Sequence, residues 1–380
     1  MIERVNIHNY KSIQNADISL RNLNVLIGSN GVGKSNFISF FELLKALLSQ
    51  RLGNYILERG GFDRFLYQGV KYSKNLDGLI DFSNTNAFYF KLASAIGDKA
   101  FIEESGNYFN SKGDKTKDYQ RLWSWSVWDQ AVPESSVIDN TKWQSGYLKD
   151  FMQSFAVYHF HDTSISSPMR RACKIEDNEF LRYDASNLAA YLYRLQINEP
   201  QNFKLIEGTI RSIAPYFKRF KLHESPNSKG MISLEWEEND SETYLDAYSF
   251  SDGTIRFIAL ATLILQSNTP TTIIIDEPEL GLHPTAINKL AALVRRAARK
   301  KQIILATQST NLVNCFDTED IIVVDRKDKQ TLFSRLDRGE LDTWLEEYSL
   351  GDIWEKNIIG GQPNCIRNWY GYNTDKVPSL

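Results

Sequence analysis

Apolar positions in the first 27 residues alternate with polar ones as in paired strands, with Ile2, Val5 and Ile7 followed by Ile18 and Leu20. Between them His8-Asn9-Tyr10-Lys11-Ser12-Ile13 is polar and reads as a turn. The run Leu23-Asn24-Val25-Leu26-Ile27 is short and apolar and predicts a buried strand. From Asn36-Phe37-Ile38 to Leu47-Leu48 the apolar positions leave little polar face. That predicts a largely buried helix, continued to about residue 58 and broken by Gly60-Gly61. Between 80 and 165, Phe88, Phe90, Phe101, Tyr108 and Phe109 are spaced by polar residues, which suits meandering antiparallel strands. Helices are predicted over 186–195 and 203–217, and a short strand pair over 218–237. An alternation follows: helix 254–265, strand 271–275, helix 285–300, then strands 303–306 and 321–324. No sustained heptads appear, so no long coiled coil is expected. The pattern is that of an α/β protein with a mixed sheet and β-rich and short helical insertions. Its expected parts are 1–79, an inserted lobe 80–240, a returning part 241–330 and an extension 331–380.

Composition narrows this picture only slightly. The longest uncharged apolar run is too short to span a membrane, and Met1-Ile2-Glu3-Arg4 leads straight into a strand, so a cytoplasmic protein is expected. Cys173, Cys315 and Cys365 are odd in number and lack ligand-like spacing, which reads as reduced thiols. The net charge of −3 gives no global basic field, so any DNA contact needs a local patch.

Chemistry enters where the predicted strand gives way to the predicted helix. Gly28-Ser29-Asn30-Gly31-Val32-Gly33-Lys34-Ser35 fits the phosphate-binding loop G-x-x-x-x-G-K-[ST]. The glycines let backbone N–H groups approach phosphates without a Cβ in the way, and the helix adds its N-terminal partial charge. Lys34 would reach the β- and γ-phosphates, and the Ser35 hydroxyl would ligate Mg2+. The chain therefore reads as a nucleotide-binding protein.

A second buried strand, Ile273-Ile274-Ile275, delivers Asp276 and Glu277 at its C-terminal end, where open α/β sheets place their ligands. Asp276 would hold Mg2+, and Glu277 would orient and polarise the attacking water. Lys34 and Asp276 are 242 residues apart (276 − 34), so inserted lobes separate them. Inside the gap, Ser249-Phe250-Ser251-Asp252-Gly253-Thr254-Ile255-Arg256 opens a helix. Ser251 is a good N-cap there and leaves N–H groups free for a phosphate.

The order P-loop, insertion, Ser-Asp-Gly-Thr, Asp-Glu resembles the ABC-ATPase head. The chain resembles the SMC/RecF/OLD-like branch of these ATPases, and within it the stand-alone AAA_21 type associated with anti-phage defence. The likeness runs through Asn9-Tyr10-Lys11-Ser12, residues 28–36, Tyr158-His159-Phe160-His161-Asp162-Thr163, Asn187-Leu188-Ala189-Ala190 and residues 251–257. It continues through residues 275–284, Ala306-Thr307-Gln308-Ser309 and residues 348–356. The resemblance implies that Gly28, Ser29, Asn30, Gly31, Val32, Gly33, Lys34, Ser35 and Asn36 hold ATP with Mg2+. It also implies a head-to-tail dimer, or a higher even oligomer. In it Ser251, Asp252, Gly253 and Thr254 of one head face the γ-phosphate on the other. Residues 279–283 would form the D-loop, and Gln308 stands at the switch position where many relatives carry His. An amide cannot titrate, so slow turnover is expected. Gln68 is the candidate Q-loop glutamine toward Mg2+. Fewer than about 60 residues follow the last core strand, too few for a TOPRIM fold, so an ATPase without nuclease activity is expected. A separately encoded TOPRIM- or HNH-type effector nuclease then becomes the expected partner, with DNA a further candidate and no membrane. Rival readings are a non-hydrolysing ATP-gated scaffold and a RecF-type DNA repair protein. A transporter subunit fits less well, since Asp252-Gly253-Thr254 replaces a Gly-Gly-Gln signature.

Lesser signals favour ordinary structure. Trp123, Trp125, Trp128 and Trp143 read as aromatic cover rather than a base-stacking platform, because few Lys or Arg interleave them. His159 and His161 could bind a metal, but no third ligand is visible and polar packing is the expectation. The runs Arg295-Arg296-Ala297-Ala298-Arg299-Lys300-Lys301 and Met169-Arg170-Arg171 with Lys174 are small basic patches. The first suits a helix end.

Overall fold

The computed structural model describes residues 1–83, 86–109, 120–126, 155–241, 243–339 and 341–362, with the backbone alone described at 107–109 and 120–126. The side chains of the four tryptophans between 123 and 143, and Cys365, lie outside the described part. The N-terminal alternation forms β1 (Ile2–Tyr10) and β2 (Ile13–Ser19), an antiparallel hairpin. Its turn is only Lys11 and Ser12, whereas the polar composition suggested a turn from His8. Pairing on both sides of a central strand overrides that composition, for β1 also pairs with a later strand.

Next, β3 (Leu23–Ile27) is buried at every position and leads to α1 (Lys34–Leu48) and α2 (Leu52–Glu58). The expected single helix to residue 58 is thus two. At the break Gln50 takes the left-handed conformation with φ 57°. The Arg51 N–H donates to Ala46 O at 2.8 Å and the Gln50 N–H to Leu47 O at 3.4 Å, a Schellman closure of α1. The meander β4 (Asn75–Phe82), β5 (Asn86–Ala95), β6 (Lys99–Phe109) and β7 (Gln120–Ser126) completes a six-stranded antiparallel sheet ordered β2-β1-β4-β5-β6-β7.

The chain then builds a second layer. It runs through β8 (Phe155–Tyr158), β9 (Cys173–Lys174), α3 (Leu188–Asn198), α4 (Pro200–Arg211) and β10 (Phe217–Lys221). Pro200 opens α4, where its missing N–H costs nothing, so this helix starts and stops earlier than 203–217. Short strands β11 (Met231–Ile232), β12 (Glu235–Glu238) and β13 (Tyr244–Asp246) precede α5 (Asp252–Leu265) and β14 (Thr272–Asp276). Then come α6 (Pro284–Ala298), β15 (Gln302–Thr307), α7 (Thr310–Val313), β16 (Ile321–Lys327) and β17 (Gln330–Arg335). Last are α8 (Asp342–Leu345) and α9 (Leu350–Glu355). The second six-stranded sheet is ordered β17-β16-β3-β15-β14-β8, parallel except for β17.

Both faces of this sheet are covered, which explains its continuous apolar runs. On one face Leu26, Ile274, Ile304 and Ile322 share a core with Phe37, Phe40 and Phe41 of α1 and with Val5, Ile80 and Phe90 of the antiparallel sheet. On the other, Val25, Ile273, Ile275 and Leu305 pack with α3 to α6. The P-loop helix is therefore wedged between the two sheets. The longest described helices, α1 and α6, have 15 residues each, so no long coiled coil occurs among the described residues. No described helix is long and apolar enough to cross a membrane.

Candidate functional site

The loop after β3 is held open from outside. Gly33 sits at φ 120°, and a Cβ there would fall 2.2 Å from Thr331 Oγ1 and 3.0 Å from Ser12 Oγ. A hydroxyl chain crosses the same point. Thr331 donates to Val32 O at 2.6 Å, its Oγ1 lies 2.7 Å from Ser12 Oγ, and Asn36 Nδ2 donates to Ser12 Oγ at 2.7 Å. The hairpin turn, the loop and β17 are thereby tied together. Arg326 adds a bond to Gly31 O at 3.0 Å, and the Ser29 N–H donates to Gly361 O at 2.7 Å. Lys34 is 4% exposed and donates to Gly28 O at 2.5 Å and Ser29 O at 3.0 Å. Burial lowers its pKa, while Glu277, Asp276 and Glu279 work to raise it.

Strand β14 brings those carboxylates in. Asp276 is 8% exposed, and its Oδ1 is buried with no hydrogen-bond partner. Burial raises its pKa, and Glu277 adds to the rise; His161 and a hydrogen bond from Ser35 oppose it. Glu277 is held at φ 42°, a region that costs a non-glycine residue about 1–3 kcal/mol. Its N–H donates to Ala306 O at 2.8 Å, and Gln308 Nε2 donates to its Oε1. Glu279 is buried, accepts from the Thr307 hydroxyl at 2.5 Å and the Gln308 N–H at 3.3 Å, and is shifted upward by burial. The switch amide and the water-orienting carboxylate of the sequence reading are thus in direct contact.

At the start of α5, Ser251 Oγ accepts the Thr254 N–H at 3.2 Å and lies 2.8 Å from Thr254 Oγ1. Ser251 and Asp252 are exposed. A Cβ on Gly253 would fall 2.4 Å from Gly281 O, so the Gly281 backbone packs directly on this turn. Two buried arginines brace it. Arg170 donates to Thr163 O at 2.9 Å, Ala247 O at 2.5 Å, Phe250 O at 3.0 Å and Asp252 Oδ1 at 2.8 Å. Arg256 donates to Phe160 O and His161 O, both at 2.7 Å. Arg170 is 5% exposed, so the basic patch read around it reduces at the surface to Arg171 and Lys174.

The chain leaving β8 runs past β14, its parallel neighbour. It places His159 and His161 beside Asp276, a third residue able to ligate a metal, and the linear sequence could not reveal that meeting. Gln68 is exposed at φ 55° in a hollow lined also by Lys11, Lys329 and three residues of the network around the loop, Ser12, Asn36 and Arg326. Lys11 in that hollow donates to Ser39 Oγ at 2.8 Å, and burial pushes its pKa down to about 8. Sequence reasoning did not single out Thr331, Arg170 or Arg256 for this site. Their only signal was a polar residue in an otherwise apolar or loop setting.

Comparison with known proteins adds the following. Residues 23–314 match the AAA_21 family, described as an AAA domain, with the AbiEii toxin and a type IV TA system also mentioned. The Old nuclease of Escherichia phage P2 is 25% identical over 370 residues, covering 86% of this chain and 60% of that protein. The OLD nuclease of Thermus scotoductus is 20% identical over 416 residues, covering 100% of this chain and 73% of that protein. The chain thus spans 60% and 73% of the length of these relatives. Among solved structures, an SMC head bound to the C-winged helix domain of ScpA matches with a TM-score of 0.58 at 16% identity, over 89% of this chain and 99% of that one. An Smc head from Pyrococcus furiosus, with an extended coiled coil and bound to the C-terminal domain of ScpA, matches with a TM-score of 0.56 at 13% identity, over 91% and 98%. These structural likenesses concern the fold. The relatives' names correct one expectation. Both are called nucleases, which overturns the reading of an ATPase without nuclease activity. That reading rested on a count of residues after the last core strand, and such a count does not identify catalytic groups.

Proposed function

The chain belongs to the AAA_21 family, within the SMC/OLD-like ABC ATPases, and from that premise we propose that it binds and hydrolyses ATP as a switch coupled to nuclease activity. The observation that carries the reading is the meeting of Lys34, Ser35, Asp276 and Glu277 at one edge of the parallel sheet, with a buried Asp276 oxygen lacking any partner. An unpartnered buried carboxylate oxygen is unfavourable unless a cation faces it, so these residues fit the metal that accompanies a nucleotide. Ser35 and Asp276 would hold Mg2+, which supplies charge neutralisation at the β- and γ-phosphate oxygens.

The protein groups do the remaining tasks. Lys34 exchanges the Gly28 and Ser29 carbonyls for phosphate oxygens. The loop N–H groups at the start of α1 bind the same anion. Glu277 orients and polarises the attacking water, and Gln308 holds that carboxylate by its amide. Exposed Ser251 and the Gly253 backbone complete the site of a second copy, so nucleotide draws two heads together and hydrolysis parts them. The relatives' names and the phage source of one of them support a switch that serves nuclease control in phage–host conflict, and DNA as the polymer acted on is part of the same proposal.

The test compares steady-state ATPase rate and native mass for wild type and Glu277→Gln in Mg-ATP. Turnover by wild type, near-background turnover by the variant and an even oligomer of the variant are expected. Equal background rates sink hydrolysis and leave the ATP-gated scaffold, a reading favoured by the non-titrating Gln308. A variant that stays monomeric sinks the sandwich. DNA cleavage measured with and without ATP then locates the nuclease. Cleavage by the purified chain places it there; cleavage only with a co-purifying protein places it in an effector of TOPRIM or HNH type.

A further inference from the structure

We propose that His159, His161 and Asp276 form a site for a divalent transition-metal cation, one whose imidazole donors set it apart from an all-oxygen Mg2+ site. The three residues each offer one ligand atom, and these atoms lie within 4.8 Å of one another. Such closeness needs no rearrangement of strands: β8 and β14 are hydrogen-bonded neighbours, and both run toward this edge. Two imidazoles with a carboxylate suit zinc, iron, nickel or cobalt, whereas magnesium prefers carboxylate and water.

Three further observations point to a cation. The first is Asp276 Oδ1, buried and without a partner in the protein. The second is the orientation of His159. Its Nε2 lies 2.7 Å from Glu42 Oε1. The other Glu42 oxygen accepts from the Tyr55 hydroxyl at 2.9 Å and Arg59 at 3.1 Å. A carboxylate already bonded to a guanidinium and a hydroxyl accepts rather than donates, so this geometry puts a proton on Nε2 and leaves Nδ1 as the ring nitrogen not engaged by Glu42. A carboxylate on the far nitrogen of a metal-bound imidazole is the usual means of fixing tautomer and ring direction. The third is rigidity: Arg256 grips the carbonyls of Phe160 and His161, fixing the backbone that presents the second ring. Lys34 and Arg256 stand near the site, as do the carboxylates Asp276, Glu277 and Glu279, while Glu42 is itself paired with Arg59.

This site shares Asp276 with the Mg2+ position of the nucleotide reading, but its other two ligands are imidazoles of the protein, so it forms without ATP. The test titrates Co2+ into the nucleotide-free full chain in excess Mg2+, followed by visible absorption, with pulsed EPR of bound Mn2+ to detect imidazole nitrogen. One Co2+ per chain and nitrogen coupling in wild type are expected. His161→Ala and Asp276→Asn should each weaken Co2+ binding at least about 10-fold, and Glu42→Gln about 10-fold. Lys34→Ala should lose nucleotide and keep Co2+, so a failure of either reading is visible without the other. Absence of Co2+ binding above the Mg2+ background, or bound metal without nitrogen coupling, overturns the proposal. The EPR readout on wild type needs no variant to fold.

Discussion

The two six-stranded sheets share one core and use it differently. In the antiparallel sheet neighbouring strands end at opposite edges, so no single edge collects the residues that follow the strands. Its contribution is burial, with Phe90 stacked on Phe40 of α1 at 5.8 Å between ring centroids. In the parallel sheet β3, β8, β14 and β15 all end at the same edge. The loop 28–35, His159 and His161, Asp276 and Glu277, and Thr307 and Gln308 therefore converge there, although the chain visits them far apart. Parallel topology concentrates chemistry because every strand delivers its next residue to one side.

That contrast can be broken by experiment. The largest separation is expected between Lys34→Ala and Phe90→Ala. The first should lower ATP turnover by about 100-fold or more while leaving the melting temperature nearly unchanged. The second should cost about 3–5 kcal/mol of stability in denaturant unfolding, with turnover per folded molecule retained. A Phe90→Ala protein that folds fully but loses turnover would show that the antiparallel sheet has a direct part in the chemistry.

A smaller effect, of opposite sign in stability, is expected for Asp276→Asn. The Asp276 carboxyl is raised above its ordinary 3.8 by burial, so its contribution to stability is present below that value and is lost as pH rises through the raised one. Ionising this carboxyl in the nucleotide-free protein is thus unfavourable. The amide should raise its melting temperature and remove that part of the pH dependence, even as turnover falls. A lower melting temperature for the variant at neutral pH would mean that the free protein gains more from the charge than burial takes away. The smallest effect concerns Gln308→His: turnover should gain a pH-dependent limb near about 6.5, absent from wild type, if the side chain on Glu277 shapes the chemical step.

Much of this molecule was legible in the linear chain. The loop after β3 and the carboxylates after β14 are local devices, each written in consecutive residues, and the fold places both as their flanking apolar runs require. Other features depended on neighbours chosen by the sheet. The Schellman closure at Gln50 lacks the usual glycine, so α1 ended earlier than its composition suggested. Arg170 looked like surface charge until the loops around Thr163 and Phe250 supplied it with carbonyls.

By itself, then, the sequence determined that a glycine-rich loop between a strand and a helix, two adjacent carboxylates at a strand end and a capped helix exist, because spacing within a strand, turn or helix is set by local backbone geometry. Only the tertiary structure decided that His159 and His161 stand beside Asp276, that Thr331 props the loop at Gly33, and that Gln308 lies on Glu277. Those meetings follow from strand order in the parallel sheet, where β8 joins β14 and β17 comes round to the loop. Strand order is settled by which apolar faces pack together across the whole chain, and no local pattern carries that choice.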